Sequence, residues 1–227
     1  MTQKFDNRQK VAPGDTVFEG DTAEAGNGVY EDGEKLRSRY AGIVRYQEGT
    51  VSVRPSNGRY VPQEGDIVIG EVKAVRYSSW MVDLNSPYEG MMKVDGAVDE
   101  YIDLDEDELT EYYDVGDAIV VKVSSVSEGF DVNLTMDDRR CRTLESGRIE
   151  EIPPSKVSAL IGKGGNIIRE LKEATDTSMI AGQNGRVWIQ GGDHVEAAEA
   201  VKNIGEVADR PHLMKSAEDL MEADSNG

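Results

Sequence analysis

One short segment constrains the fold of this chain more than any other: residues 160–168 read L-I-G-K-G-G-N-I-I. Gly162 and Gly165 stand three positions apart, between two stretches whose apolar residues have helical spacing. Because glycines lack Cβ atoms, a sugar-phosphate chain can approach their backbone closely. The second helix presents unpaired N–H groups and a positive dipole end to such a chain, and Lys163 adds a cation. The segment therefore predicts a loop that clamps the backbone of a nucleic acid.

The elements predicted around this loop follow the order strand, helix, helix, strand, strand, helix over residues 138–210. The loop and this order resemble the KH module, whose GxxG loop holds about four nucleotides of single-stranded nucleic acid. Ile161 and Ile168 anchor the loop and can floor an apolar groove for bases. The spacings of a P-loop and of a dinucleotide-binding loop are both absent. The residues predicted to bind RNA here are Ile161, Gly162, Lys163, Gly164, Gly165 and Arg169.

Residues 63–137 predict a small β-barrel. They contain five β-rich segments, with Gly70 where a bulge or barrel bend would fall. Five strands with glycine at the bends suit a closed Greek-key barrel of the OB type. The acidic stretch Asp95–Asp114 has room for a short helix. The predicted strands are Ile67–Val75, Trp80–Leu84, Tyr88–Val94, Gly116–Val126 and Phe130–Thr135.

OB barrels bind single strands by stacking bases on exposed aromatic rings beside basic side chains. Aromatic residues lie on the predicted second and third strands, with basic residues nearby. Trp80 and Tyr88 can instead pack in the core or between domains, as aromatic residues mostly do. The candidate RNA-binding residues of the barrel are Lys73, Arg76, Tyr77, Trp80, Tyr88 and Lys93.

Residues 1–62 predict a small all-β domain, because they contain short β-rich segments and turns without a long helical pattern. Tyr40–Tyr46 and Val51–Arg54 have strand composition, and Asn57–Gly58 is a strong hairpin signal. Residues 211–227 are acidic and polar and predict a mobile tail. The predicted fold is multidomain: an all-β N-terminal domain (1–62), a five-stranded OB barrel (63–137) and an α+β KH domain with the type I order βααββα (138–210).

Acidic charge is concentrated in the middle of the chain. The chain has 44 acidic and 25 basic residues, a formal charge of −19, which excludes a uniformly basic nucleic-acid binder. Residues 63–137 hold 19 acids and 4 bases, whereas residues 138–190 hold 7 acids and 9 bases. The surplus serves solubility or a salty cytoplasm, or it repels RNA from the faces that carry it; these interpretations can coexist. A local basic site remains compatible with this distribution.

Cys141 is the only cysteine, which excludes an internal disulfide and a Cys-rich zinc site. The chain has no run of about 18 apolar residues and no leader-like N-terminus, so we expect a soluble, cytoplasmic protein without a cofactor. Arg139, Arg140 and Arg142 surround Cys141 and are expected to lower the pKa of its thiol. This arginine cluster is also a candidate RNA or protein contact.

The order of the domains carries a further resemblance over about residues 5–210. A small β domain, an S1-type barrel and a KH domain in this order resemble the RNA-binding cap subunit of the archaeal exosome. Polynucleotide phosphorylase carries the two RNA modules in the opposite order, which argues against a fragment of it. Besides the KH loop, the matching motifs are residues 11–15 (V-A-P-G-D), 65–70 (G-D-I-V-I-G), 79–84 (S-W-M-V-D-L) and 113–117 (Y-D-V-G-D).

This resemblance implies a role as well as a fold. Three such subunits would sit on a hexameric ring of RNase PH-like proteins, with residues 1–62 docked on the ring. The barrels would surround the entry pore, and single-stranded RNA would be threaded inward by its 3′ end for phosphorolysis in the ring. The cap subunit would have no catalytic residues of its own. Several weak sites around one pore raise the local concentration of RNA.

Two other classes of protein remain open. One is a free RNA-binding factor, for example in translation, built from the same modules without a ring partner. The other is a metal-dependent nuclease that uses Asp103, Asp105 and Asp107, which alternate like the start of a calcium loop but lack its later ligands. A solvated acidic loop is the simpler interpretation of these residues. Neither His194 nor His212 has a nucleophile nearby in sequence.

Overall fold

The computed structural model describes residues 2–7, 9–47, 49–55, 58–98, 102–104, 107–127 and 129–207. The chain divides into two compact units at the junction of Gly58 and Arg59. Each unit has a hydrophobic core of its own. Asn57 of the predicted hairpin, Asp105 of the acidic loop, and the predicted tail with His212 lie outside the described residues.

The first unit consists of short strands over its described residues. They are β1 (Thr2–Gln3), β2 (Lys10–Val11), β3 (Thr16–Glu19), β4 (Glu24–Ala25), β5 (Val29–Asp32), β6 (Lys35–Ser38), β7 (Gly42–Gln47) and β8 (Thr50–Pro55). Two sheets form, with neighbour orders β1-β3-β6-β5 and β2-β7-β8-β4. Valines from both sheets are buried in one shared core, among them Val17, Val44 and Val53. The predicted all-β N-terminal domain is confirmed.

The second unit begins with a closed barrel. Its strands are β9 (Ile67–Arg76), β10 (Ser79–Asp83), β11 (Gly90–Lys93), β12 (Ala118–Val126) and β13 (Val132–Thr135). The neighbour order is β13-β11-β10-β9-β12, and β12 also pairs with β13, which closes the sheet. The short helix α1 (Val94–Ala97) follows β11, and a 3-10 turn spans Leu109–Glu111. The predicted five-stranded OB-type barrel is confirmed.

Close packing, rather than a bulge, explains Gly70. A Cβ atom at Gly70 would collide with the side chain of Val82. The irregularity between β9 and β10 lies elsewhere: Met81 pairs with Ala74, and the next residue, Val82, pairs with Val72. Of the two expectations for Gly70, a bulge or a barrel bend, the bulge is therefore wrong; the glycine allows close contact between β9 and β10.

The barrel core includes a residue from before the first barrel strand. Tyr60 is buried in this core, and its hydroxyl donates a hydrogen bond to Asp66 Oδ2 over 2.8 Å. The segment that follows Gly58 therefore packs with the barrel.

The KH fold occupies the rest of the described second unit. Its elements are β15 (Arg148–Glu151), α2 (Val157–Ile161), α3 (Asn166–Thr175), β16 (Ser178–Ala181), β17 (Arg186–Gln190) and α4 (His194–Val207). β17 lies between β15 and β16 and is antiparallel to both. Val187 and Ile189 of β17 share a buried core with Leu160 and Leu171 of the helices. The predicted βααββα KH domain is confirmed.

The other face of the KH sheet packs against the barrel. Strand β14 (Arg142–Leu144) pairs with β12 and so extends the barrel sheet towards the KH domain. Trp188 alternates with Val187 and Ile189 and therefore points to the opposite face. It joins a separate buried cluster with Ile67, Ile69, Val120 and Leu144.

Buried hydrogen bonds complete this contact between barrel and KH domain. In the turn between β16 and β17, the Asn184 side-chain amide donates to the carbonyls of Ile69 (2.7 Å) and Leu84 (2.9 Å). Arg186 donates to the Asp83 carbonyl over 2.9 Å and forms an ion pair with the Asp83 carboxylate over 2.5 Å. Because these contacts are buried and specific, barrel and KH domain are held in one arrangement.

Candidate nucleic-acid interface

The backbone of the loop between α2 and α3 adopts a conformation that requires its glycines. Gly162, Gly164 and Gly165 have φ values of 74°, 66° and 78°, in a region that other L-residues rarely adopt. A Cβ atom on Gly162 would lie 2.6 Å from Asn166 Oδ1 and 2.7 Å from Ile167 Cγ1, whereas Gly164 and Gly165 face open space. The first glycine is required by packing as well as by conformation. The other two leave a bare backbone surface.

Apolar and basic side chains flank this loop. Ile161 and Ile168 are half-buried against the KH core, so part of each side chain stays accessible. Lys163 in the loop and Arg169 on α3 are exposed, and neither forms an ion pair within the part of the chain that the structure describes. The glycine backbone, the apolar floor and the two cations thus lie around one loop.

A groove of about 770 Å³ runs along the outer face of the barrel. Met92 and Leu134 point into the barrel core, so their neighbours Met91, Lys93 and Asn133 point outward into the groove. The groove also contains carboxylates, which belong to Glu64, Asp95 and Asp137. Its charge is therefore mixed, and hydrogen bonding is better supported here than strong phosphate neutralisation.

Trp80 is not available to RNA. Its side chain is fully buried, and Nε1 donates a hydrogen bond to the Tyr113 carbonyl over 2.9 Å. The two rings meet edge-on, with centroids 5.3 Å apart. Trp80 pairs with Val75 and Met92, whose side chains lie on the inner or partly buried side of the barrel. The prediction that Trp80 stacks on bases is therefore wrong, and its alternative, core packing, is confirmed.

Tyr77 and Tyr88 lie at opposite ends of β10. Tyr77 precedes the strand and is 70% exposed. Tyr88 follows the strand, is half-buried, and stacks on Phe130 with nearly parallel rings whose centroids are 4.3 Å apart. Because β10 separates them, the structure does not bring the two tyrosines onto one binding surface, and Phe130 also covers one face of Tyr88.

The predicted basic residues of the barrel fall into two settings. Lys73 forms an ion pair with Glu71, with 2.6 Å between Nζ and Oε1, so its charge is partly compensated. Arg76 and Lys93 both pair with Ser79 across neighbouring strands, so they share the outer face next to Tyr77. Of the residues predicted to bind RNA on the barrel, Arg76, Tyr77 and Lys93 thus form one cluster.

The sequence analysis did not select Lys122 and Asn133, which also line the groove. Lys122 pairs with Thr135 on β13, and Asn133 Nδ2 donates to Ser125 Oγ over 3.0 Å. The sequence feature that could have identified them is the alternation of polar and apolar residues along β12 and β13, because every second position of a strand faces outward.

The environment of Cys141 reverses its predicted pKa shift. Burial raises the pKa of the thiol, and the negative charge of Asp138 raises it further, against the smaller effects of Arg140 and Lys122. Arg140 donates two hydrogen bonds to the Asp138 carboxylate, over 2.8 and 2.9 Å, and this pairing lowers the pKa of Asp138. The prediction of a lowered thiol pKa is wrong, first because the thiol is partly buried and second because the Asp138 carboxylate offsets the nearest arginine.

One carboxylate of the acidic loop binds a backbone group. The Asp107 carboxylate accepts a hydrogen bond from the Asp103 backbone N–H over 2.8 Å. Among the described residues, no group of three or more His, Cys, Asp or Glu side chains is placed to hold a metal ion. His194 is the first residue of α4.

Across the residues that the structure describes, no helix has the length and apolar character needed to cross a membrane.

The fold and the site define a class of protein in which an OB-type barrel and a KH domain form one nucleic-acid-binding unit. Residues 59–125 match the family model described as RRP4, S1 domain, and residues 146–206 match the KH domain. The chain is similar to proteins named exosome complex component Rrp4. In Pyrococcus abyssi the identity is 37% over 203 residues, which cover 87% of this chain and 76% of the relative. For the Methanosarcina barkeri protein the identity is 38% over 210 residues, which cover 91% of this chain and 79% of the relative.

A solved structure supports the same relationship. A crystal structure described as an exosome complex RNA-binding protein has a TM-score of 0.65 and 30% identity, over 73% of this chain and 94% of that chain. This chain belongs to the Rrp4 family. Membership confirms the resemblance seen in the sequence, and with it the prediction of an accessory component with S1 and KH domains rather than a catalytic one.

Proposed function

We propose that this protein is a non-catalytic RNA-binding subunit of the exosome. The observation that carries the proposal is the joining of two candidate RNA-binding surfaces, the barrel groove and the GxxG loop, in one compact unit. The naming of its relatives as exosome components supports the assembly. Two modules in a fixed arrangement can hold one strand at two points, although each contact is weak.

The first unit is the candidate for attachment to the exosome. Three copies dock through residues 1–62 on a hexameric ring of RNase PH-like subunits in the cytoplasm, and captured single-stranded RNA enters the ring by its 3′ end for phosphorolysis. The separate hydrophobic core of this unit supports a docking role that is independent of the RNA modules.

The geometry of the second unit supports particular residues as the RNA contacts. In the KH domain, the backbone of Gly162–Gly165 receives the sugar-phosphate chain, with Lys163 and Arg169 beside it. In the barrel, Tyr77 offers a ring for stacking next to Arg76 and Lys93. The mixed charge of the groove limits the affinity of this contact, which suits a strand that must move toward an active site.

A size-resolved RNA degradation assay tests the proposal. The purified chain is examined alone and together with the RNase PH-like ring, in the presence of phosphate and Mg²⁺. We expect the chain alone to leave RNA intact, to co-elute with the ring and to accelerate shortening from the 3′ end. Mg²⁺-dependent cleavage by the chain alone would establish the nuclease alternative instead. RNA binding without any association with the ring would establish a free RNA-binding factor.

A matched pair of glycine variants separates RNA capture from docking. Gly165→Asp places a carboxylate on the KH loop, and we expect about tenfold weaker RNA binding with unchanged co-elution with the ring. Gly116→Asp is the control, because Gly116 also has a positive φ and open space around it but lies in a barrel turn. Equal loss of RNA binding in both variants would contradict the assignment of the KH loop.

A further inference from the structure

Two stacked aromatic rings lie at one end of the barrel, where the loop between β12 and β13 meets the residues that precede β11. The ring of Phe130 stacks on the ring of Tyr88, with centroids 4.3 Å apart and planes within 5° of parallel. Tyr88 is half-buried and packs against the barrel core, whereas Phe130 is 41% exposed. Phe130 is therefore the outer ring of the stack. It lies outside both family matches, which cover residues 59–125 and 146–206.

The backbone holds Phe130 in a conformation that a bulky residue rarely adopts. Its φ is 63°, although the preceding residue, Gly129, would take such a value without steric cost and does not adopt it. Two hydrogen bonds of 3.0 Å fix the turn: the Phe130 N–H donates to the Ser127 carbonyl, and Ser127 Oγ donates to the Asp131 carboxylate. Strain of this kind is concentrated where a side chain is held in place for binding.

The residues around this stack are acidic. Glu89 and Asp131 adjoin the two rings in the sequence, and both are exposed. Neither forms an ion pair within the ranges that the structure describes. Residues 84–92 and 123–136, which include both rings, contain three acidic residues and neither lysine nor arginine. This surface therefore repels the phosphates of RNA and attracts a cation.

An arginine side chain matches both features of this surface. Its planar guanidinium stacks on an aromatic face and donates hydrogen bonds to carboxylates. A lysine ammonium is a compact, strongly hydrated charge without a planar face. The exposed ring of Phe130 and the carboxylates of Glu89 and Asp131 supply the two kinds of group that a guanidinium binds.

We propose that Phe130, Glu89 and Asp131 form a docking surface for an arginine-bearing segment of a partner protein. Charge complementarity favours a basic protein segment over RNA, because the acidic residues lie next to the open ring. The surface goes beyond the proposed RNA-binding function, since it uses neither the GxxG loop nor the cluster of Arg76, Tyr77 and Lys93. The barrel thereby has a protein-binding end in addition to its candidate RNA-binding face.

A tryptophan reporter tests contact with the outer ring. Phe130→Trp keeps an aromatic ring at the site, and Trp80 and Trp188 are buried, so a ligand-induced change in emission reports on position 130. The probe is a short peptide of alternating arginine and glycine with both ends capped. We expect this peptide to change the emission of Phe130→Trp in a saturable manner. Single-stranded RNA should leave the emission unchanged.

Val115→Trp is the matched control for attraction to an acidic surface. Val115 is 59% exposed, and Asp114 and Asp117 lie beside it in a different turn of the barrel. A tryptophan at this position senses a peptide that is held by charge alone, without the Tyr88 stack. We expect a clearly smaller and non-saturating response from this variant.

Variants that change the ring or the charge test the affinity. With the fluorescently labelled arginine peptide, anisotropy should show about threefold weaker binding for Phe130→Leu, and Phe130→Tyr should stay within about twofold of the wild type. Glu89→Gln should also weaken binding, by a factor that shrinks as the salt concentration rises. A peptide with lysine in place of arginine should bind the wild type more weakly. Thermal unfolding checks that Phe130→Leu is folded.

Several outcomes would overturn the proposal. Equal affinity of Phe130→Leu and the wild type for the arginine peptide excludes a role of the ring, and equal binding of the lysine peptide excludes recognition of the guanidinium. A saturable response of Phe130→Trp to RNA assigns the ring to RNA instead. Each of these results leaves the GxxG loop untouched, because RNA capture by that loop is tested separately with Gly165→Asp.

Discussion

At the scale of single residues, the glycines of the KH loop are needed for different reasons. Gly162 combines a positive φ with neighbours that leave no room for a Cβ atom, whereas Gly164 has a positive φ and open space. We expect Gly162→Ala to lower the free energy of unfolding by about 2–4 kcal/mol, and Gly164→Ala by about 1 kcal/mol. Urea unfolding followed by tryptophan fluorescence reports on the second unit, which contains Trp80 and Trp188. Equal losses would contradict the packing argument.

The exposed tyrosine of the barrel gives a second prediction for a single residue. Tyr77→Ala should weaken RNA binding by about 1–3 kcal/mol, the range for loss of one stacked base. Tyr40→Ala is the control, since Tyr40 is 43% exposed but belongs to the first unit. Both tryptophans are buried, so added RNA should leave the intrinsic tryptophan emission unchanged. Strong quenching of that emission would mean that RNA reaches a residue that the structure buries.

At the scale of elements, the turn between β16 and β17 fastens the KH domain to the barrel. Asn184 is fully buried, and its side chain bonds to the backbone of Ile69 and Leu84. Asn184→Ala should lower the free energy of unfolding by about 2–4 kcal/mol, because it leaves buried backbone groups unpaired. Hydrogen exchange at the Ile69 amide should accelerate in the same variant. Gln190→Ala is the control, since its hydrogen bonds are exposed and its loss should be below about 1 kcal/mol.

The ion pair at the same contact predicts a dependence on pH. Burial alone would raise the pKa of the Asp83 carboxyl, but the hydrogen bond and charge of Arg186 outweigh it and hold the pKa below its usual value. The stabilisation is then complete above the pKa of an unfolded aspartate, about 4, and is lost as the pH falls through the lower folded value.

Asp83→Asn isolates this effect. It should lower the free energy of unfolding by about 1 kcal/mol at neutral pH, and the difference from the wild type should shrink in acid as Asp83 becomes protonated. Glu71→Gln, at the exposed pair with Lys73, should change stability by only a few tenths of a kcal/mol. A difference that stays constant down to about pH 2 would contradict the role of the Asp83 charge.

At the scale of the whole molecule, the two units differ in charge and in proposed role. The first unit is proposed to dock on the ring, and the second is proposed to bind RNA. Residues 1–62 hold 9 acids and 9 bases, so their removal changes the electrostatic field around the RNA-binding unit little. A chain that starts at Arg59 should therefore keep its RNA affinity within about twofold. It should no longer co-elute with the RNase PH-like ring. Anisotropy and size-exclusion chromatography check the two results, and retained ring binding would contradict docking through the first unit.

The sequence by itself determined the types of the elements, their order and the chemistry of the KH loop. These features are local: strand composition, helical spacing and the GxxG segment depend on residues close together in the chain. The barrel strands, the βααββα order and the family resemblance could all be predicted for that reason.

Only the tertiary structure decided to which side of its strand each side chain points and which charged groups lie beside it. Strand pairing turns Trp80 inward and Lys122 outward, because a shift of one residue exchanges the two faces of a strand. Arg140 and Arg139 look alike in sequence, but the structure pairs Arg140 with Asp138 and gives Arg139 no ion pair among the described residues. The partners of Asn184 and Arg186 lie on the barrel strands, far away in the sequence, and no local pattern encodes this buried contact between barrel and KH domain.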